Sequence, residues 1–411
     1  MLLANYGFVN DAHSAASGKR MPGVRVIGTT IACESTVEAD IEAGIDGALD
    51  DIVAALTKPL TEEESSPKMN TEPEPRIAFK GGYQEVNNFF YRKGWSDGLP
   101  VSPPTEAAVA EMMTGTDLPA DHVVAKLIPR GGKATIEKIA VNAVMAGALP
   151  VHLPVIIAAV EALADEGTRF DTFEVSTGSW APFFLINGPV RKDIHINTGS
   201  GALSPGNIAN AAIGRAVGLV VKNIGGARKG VEDMGTLGNP GKWSLVLGEN
   251  EEDSPWDPWH VDNGYKKENN VLTVFFPNGY TMTIPAETNA EGIAASIAGM
   301  RPGSLSALIV IPDHAKIMAS EGWTKRQLRD FIIKRNSAST ATGIVGSAPS
   351  RRLLDEDFML VVAGGPGVWH GLLQSAGGFK NGFISREIRL PANWSDLTAK
   401  YRNMIPNYER Y

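Results

Sequence analysis

The stretch Thr135–Gly167, TIEKIAVNAVMAGALPVHLPVIIAAVEALADEG, decides the fold class. Behind Thr135, suited to N-capping, Ile136, Ile139, Ala140, Ala143 and Val144 recur at helical spacing. A Gly/Pro turn, an apolar run and a second helix follow, and then APFFLINGPV, Ala181–Val190, leads into a glycine-rich loop. Asn289–Gly322, NAEGIAASIAGMRPGSLSALIVIPDHAKIMASEG, repeats that order, with DFMLVVAGGPG, Asp357–Gly367, after it. Helical and strand-like runs in alternation predict an α/β body over residues 81–411. Its halves, 81–260 and 261–411, are either pseudo-equivalent or chance recurrences of a common pattern.

Outward from that body lies KPLTEEESSPKMNTEPEPRIAFKGG, Lys58–Gly82, rich in Pro, Glu and Ser. It predicts an exposed, mobile linker, placed at residues 61–80. Residues 1–60 hold a short apolar segment, Val24–Gly28, and a helical stretch from about Ser35 to Leu56. There Val37, Ile41, Ile45, Ala48, Ile52 and Ala55 form one stripe, with Glu38, Asp40, Glu42, Asp46 and Asp50 opposite. One strand and one helix do not close a core. A partial α/β unit completed by another chain, or by a second copy of this one, is therefore expected.

With 411 residues, 43% hydrophobic and 20% charged, the chain has material for a large core. Its formal charge of -8 leaves no global basic surface to select nucleic acid or anionic lipid. Leu149–Ala164, the longest apolar candidate, is interrupted by Pro150, His152, Pro154 and Glu161, so no membrane span is expected. The start, MLLANYGFVNDAH, has no basic region before its apolar residues, and a cytoplasmic location is expected. The single cysteine, Cys33, excludes an internal disulfide, and its acidic neighbours Glu34 and Glu38 argue for a structural role.

Three stretches carry candidate chemistry. In IPRGGKATIEKIAVNAV, Arg130 and Lys133 precede a helix that Thr135 caps, so free amides and two cations predict a carboxylate or phosphate site; a solvated turn is the rival. In NTGSGALSPGNIANAAIGRAV, Asn197–Val217, either Ser204 or Asn207 caps a helix, and Asn207 and Asn210 share a face from which amides reach a ligand. Neither loop has nucleotide-binding spacing, so no nucleotide cofactor is expected. In GENEEDSPWDPWHVDNGY, Gly248–Tyr265, Glu249, Glu251 and His260 are candidates for acid/base work or for a metal; a solvated acidic loop is the bland alternative. The seven histidines show no pair at ligand spacing on a helix. In GWSDG, Gly94–Gly98, Trp95 and Asp97 are expected either at a pocket mouth or, for the aromatic, pinning the loop to the core.

RMPGVRV (Arg20–Val26) with DDIVAALTKPLTEEE (Asp50–Glu64) resembles the carboxyl end of the UGSC family, bacterial proteins named for a selenocysteine or cysteine, Gly-Ser-Cys box. GWSDGLPVSPPTE, ATIEKIAVNAVMAGALP, INGPV, GSGALSPGNIANAAIGRAV, GGARKGVEDMGTLGNPGKW and ENEEDSPW, spread through Gly94–Trp256, resemble the large domain that accompanies that family. The box itself is absent, and Cys33 lies downstream of its place and does not inherit its role. The resemblance implies an enzyme subunit acting on a small anionic or polar substrate, with thiol or selenol chemistry on a partner polypeptide. A hydrolase, hydratase or lyase using the carboxylate/His set of this chain, and a non-catalytic scaffold, are the alternatives.

Overall fold

The computed structural model describes residues 1–33, 35–67, 75–302, 305–337, 358–375 and 382–404. Glu34 and the middle of the expected linker, 68–74, lie outside the described residues.

The chain opens as β1 (Leu2–Asn5), α1 (Val9–Gly18), β2 (Val26–Thr29) and α2 (Glu38–Thr57). The strands pair in parallel, Leu2 opposite Val26 through Asn5 opposite Thr29, as a sheet of two. The stripe on α2 turns inward onto β2: Ala48 is buried, Ile41, Ile45, Ile52 and Ala55 are half-buried, and Val37 stays exposed. Gly44 permits that approach, since a Cβ there would lie 2.3 Å from the Ile31 side chain. The stripe is thus covered by its own chain rather than left for a partner. What remains open is the flank Leu49, Val53 and Leu56, with Leu2 and Leu3 of β1. The expected linker begins as a folded turn: Thr61 caps Glu62–Ser65, and Arg25 clasps Glu64 at 2.7 Å while donating to the carbonyls of Ala55, Lys58 and Pro59.

The body follows as β3 (Val123–Leu127), β4 (Gly132–Thr135), α3 (Ile136–Met145), α4 (Leu153–Leu163), β5 (Phe183–Asn187), α5 (Ile208–Val220), β6 (Val246–Gly248), β7 (Val271–Phe275) and β8 (Gly279–Thr283). It continues through α6 (Ala290–Gly299), β9 (Ser306–Val310), α7 (Pro312–Ser320), α8 (Lys325–Ser337), β10 (Phe358–Val362), β11 (His370–Gln374) and β12 (Ile384–Glu387). β3 and β4 form a hairpin, and the other strands form two sheets, ordered β12-β7-β5-β6 and β10-β9-β11-β8. In each, a central strand (β5 or β9) is flanked by a parallel strand (β6 or β10) and an antiparallel one (β7 or β11). The fourth strand is exchanged: β8 follows β7 in sequence yet pairs with β11, and β12 follows β11 yet pairs with β7. A boundary at 260/261 therefore does not divide the body, because β7 and β12 belong to the first sheet.

Side-chain alternation stacks the layers. Phe183, Leu185 and Phe275 of the first sheet meet Ala307, Ile309, Met359 and Val361 of the second in one core. Phe184, Ile186 and Val274 turn outward under α3, α4 and α5, and Leu308, Val310 and Leu360 under α6, α7 and α8. The result is helix, sheet, sheet, helix, with the central strands covered on both faces and the edge strand β8 exposed. The apolar run after Ala148 is α4, not a strand; Pro150 and Pro154 fall in the first turns of helical segments, where no N–H is lost. Burial all round α4 erases its periodicity, and the strand corresponding to Ser306–Val310 is Phe183–Asn187. No helix among the described residues is long and apolar enough to cross a membrane.

Candidate active site

RGGK is a hairpin turn, not a helix start. Lys133 lies within β4, and the first amides of α3 are already taken: Ile136 donates to His122 O, Glu137 to Ala120 O and Lys138 to Thr135 Oγ1. The amides of Ile136, Glu137 and Lys138 are thus not offered to an anion, so, contrary to expectation, no helix N-terminus joins the exposed Arg130 and Lys133; Thr135 caps as expected. The glycines serve close approach: a Cβ at Gly132 would lie 1.9 Å from Ile224 O, and one at Gly225 2.4 Å from Ile128 O. Backbone thus packs on backbone, and Arg130 N donates to Gly225 O at 2.9 Å.

The two amides of α5 are likewise structural. Asn207 caps the helix, accepting from the amides of Ala209 and Asn210 and donating to His195 O. Asn210 is buried, accepts from Asn197 N and donates to Asn197 O and Val246 O. These bonds give both amides a structural role, while Asn210 also lines a cleft. Ser204 lines the same cleft, but Arg130 and Lys133 do not line it.

Glu249, Glu251 and His260 do come together. β5 and β6 end side by side, and there Asn187 donates to Glu249 (2.7 Å) and Glu251 (3.1 Å). Glu249 also accepts from Trp259 N, and Glu251 accepts from Gly188 N and pairs with Arg191 at 3.0 Å. Burial pushes the Glu249 carboxyl up against the pull of Lys325, and burial pushes the His260 imidazole down against Glu251. Among the described residues no group of three His, Cys, Asp or Glu is placed to hold a metal, since these carboxylates are turned onto amides and Arg191. The metal assignment is corrected accordingly, and none of the three lines the clefts flanking α5.

A different set gathers in a cleft of about 750 Å³ beside the end of α5. Its walls are the GWSDG loop, the π-helical turn Val221–Gly225 that continues α5, and GARKGVEDMGTLGNPGKW. Lys93, Arg215, Lys222, Arg228, Lys229 and Lys242 line it against three acids, Asp97, Glu174 and Asp233, an excess of cations in an acidic chain. Glu174, at the end of the short helix Phe170–Phe173, is 6% exposed. Burial pushes its carboxyl up to about 7; Lys242, 3.5 Å away, opposes and Asp233 adds to the rise. Lys242 also pairs with Asp233 at 2.7 Å, and Lys229 with the same oxygen at 2.6 Å. Burial pushes Asp233 up, but Lys242 and Lys229 outweigh it and hold that carboxyl below its ordinary value. Lys222 is held by the Ser96 carbonyl, and burial lowers its ammonium. A carboxyl near neutral beside desolvated ammonium groups is an arrangement that transfers protons on an anion.

Asp97 lies at the mouth as expected, fixed by Arg215 at 2.7 and 2.9 Å, whereas Trp95 packs edge-on against Phe89 and Phe90 and pins the loop. Sequence reasoning missed Glu174, Lys222 and Lys242. The alternating charges and glycines of residues 226–243 were a usable signal; Glu174, between Phe173 and Val175, offered none. No family model, curated protein or solved structure matches the chain.

Proposed function

We propose that the chain is the substrate-binding, acid–base subunit of an enzyme acting on a small anionic substrate, with Glu174 as the proton-transfer group. The observation that carries this is the buried Glu174, pushed up to about 7 between Lys242 and Asp233 in a cation-lined cleft. Half-protonated near neutral pH, it both gives and takes a proton, while Lys222, Lys229 and Lys242 hold the charge that develops on the substrate. A hydratase, lyase or hydrolase step on a carboxylate or phosphate substrate fits this set.

Sulfate, which does not titrate near neutrality, tests it by calorimetry. Protonating Glu174 removes a negative charge from the cleft, so sulfate should bind up to about tenfold tighter at pH 6 than at pH 8. Glu174→Gln should flatten that dependence. An unchanged slope in the variant, or no sulfate binding at either pH, would sink the reading.

A second part concerns assembly: the chain works with a partner polypeptide that extends the β1–β2 sheet. That the parallel β1–β2 sheet has only two strands among the described residues supports it, since such sheets are ordinarily buried on both faces. So does the place of α1, whose Ser14 donates to Glu232, the carboxylate that clasps Arg228 at the cleft. The UGSC resemblance assigns the thiol or selenol centre to such a partner, beside this cleft. Purified alone, the chain should exchange the amides of β1 and β2 rapidly, and a bound partner should slow them at least tenfold. Full protection in the isolated monomer would remove the need for a partner.

A further inference from the structure

A second cleft, of about 650 Å³, lies on the other side of the loop Gly238–Trp243. Arg215, Gly238, Asn239, Pro240 and Trp243 line both, so the two clefts share one wall. They differ in charge, while apolar surface dominates both. Among the described residues Arg215 is the single charged one lining the second cleft, and Asp97 already neutralises it through two hydrogen bonds. The remaining lining is dominated by apolar surface, Leu203 and Tyr280 among it.

The wall is rigid. Gly238 N donates to Ser179 Oγ at 3.1 Å, Asn239 Nδ2 to Ser179 O at 3.0 Å, and Gly241 N to Asn239 Oδ1 at 2.9 Å. Yet its tip is apolar and open: Trp243 is 52% exposed and Leu237 95%, with Tyr280 at 54% across the second cleft. Exposed apolar side chains gathered round a cleft in this way suit an apolar ligand group. Each cleft also falls within the roughly 300–1,000 Å³ of whole ligand pockets, so an anion of a few atoms leaves most of the space to water.

We infer that the two clefts form one bipartite site for an amphiphilic anion, its charged end among Lys222, Lys229 and Lys242 and its apolar end carried over Trp243 against Leu203 and Tyr280. This rests on the acid–base reading of the first cleft and names its substrate class: a carboxylate or phosphate bearing an alkyl or aryl group.

Straight-chain carboxylates from acetate to octanoate, titrated calorimetrically into the full chain at pH 6.5, read the inference out. Beyond the length that clears Trp243, affinity should rise about twofold to fourfold per methylene, the range from half to full burial. Tyr280→Asp, at an exposed position on the edge strand β8, should abolish that rise and leave acetate and sulfate affinity unchanged; Leu203→Asp should do the same. A flat wild-type series with acetate and sulfate still bound overturns the bipartite site and leaves the acid–base reading standing. A rise that persists in both variants also overturns it. Octanoate binding without any acetate or sulfate binding overturns both readings, because the charged half is then empty of function.

Discussion

Stability is expected to fall gradually from pH 6.5 to 4.5 and then more steeply, by about 3 kcal/mol or more between pH 4.5 and pH 3. Two buried imidazoles set the slope. His152 is fully buried, and burial alone drives it down to about 3. Its Nδ1 accepts the Leu149 N–H at 3.1 Å, so the neutral ring carries its proton on Nε2. His370, whose Nε2 is hydrogen-bonded to His314 Nδ1 at 2.8 Å, is driven to about 3 by burial and then by that neighbour. Once unfolded, both rings take up protons below about pH 6.5; folded, they do not until about 3. The unfolded chain therefore binds more protons throughout that window, and acid withdraws about 1.4 kcal/mol per pH unit for each ring.

Glu174 acts in the opposite sense between pH 4.5 and 7. There its folded carboxyl is protonated and its unfolded one is not, so acidification favours the fold; Glu249, also raised by burial, adds to this. That compensation ends near pH 4.5. Below it Asp97, Asp233 and Glu232 also begin to protonate on unfolding first: burial pushes each up, but Arg215, Lys242 and Arg228 outweigh it and hold them low. Urea unfolding at intervals from pH 3 to 8 checks the shape. His152→Asn, whose side-chain oxygen still accepts from Leu149 N, should remove about half of the imidazole slope. Equal unfolding free energies at pH 3.5 and 6.5 would contradict the account.

Arg191→Met should cost about 3–5 kcal/mol, the penalty for stranding a buried partner charge. Arg191 is 3% exposed and Glu251 6% by side chain, and they pair at 3.0 Å. The same guanidinium donates to Glu249 O at 2.5 Å and to Gly188 O at 3.0 Å, so the substitution also takes one donor from each carbonyl, leaving them the amides of Glu251 and Arg191. Methionine matches the stem but supplies no donor. Adding Glu251→Gln should recover more than half of the loss, because the stranded charge is then gone while the acceptor for Gly188 N persists. Denaturant unfolding of both single variants and the double gives the coupling. A single-variant cost below 1 kcal/mol would mean that solvent reaches the pair. Sulfate affinity should be unaffected, since neither residue lines the cation-rich cleft.

What could be read in advance depended on whether the relevant partners were near in sequence. The capped helix behind Thr135 and the inward face of α2 follow from local spacing, and both are present as such. The Asn207 cap was equally legible, and so was the proximity of Glu249, Glu251 and His260, which share one loop. Their roles were not, because what commits them lies elsewhere: Asn187 and Arg191 for the carboxylates, Val246 O and Asn197 for Asn210. α4 hid its helical period by being buried all round. Glu174 became chemically distinctive only when Lys242 and Asp233, from more than fifty residues away, closed over it. The side-chain alternation that builds the two facing sheets was present in the strands, but the exchange of β8 and β12 has no local signal at all.

That exchange makes the two halves inseparable in a mechanical sense. Cutting the chain at Pro285, between β8 and β9, does not yield two half-proteins: each fragment keeps the other's outer strand and lacks its own. The pieces resemble links of a chain rather than beads on a string, and only together does either sheet have its full width. A nick there is tolerated or fatal for both halves at once, and a stop just after β11, near the end of the second half, strikes first at the sheet that supports the cation-lined cleft.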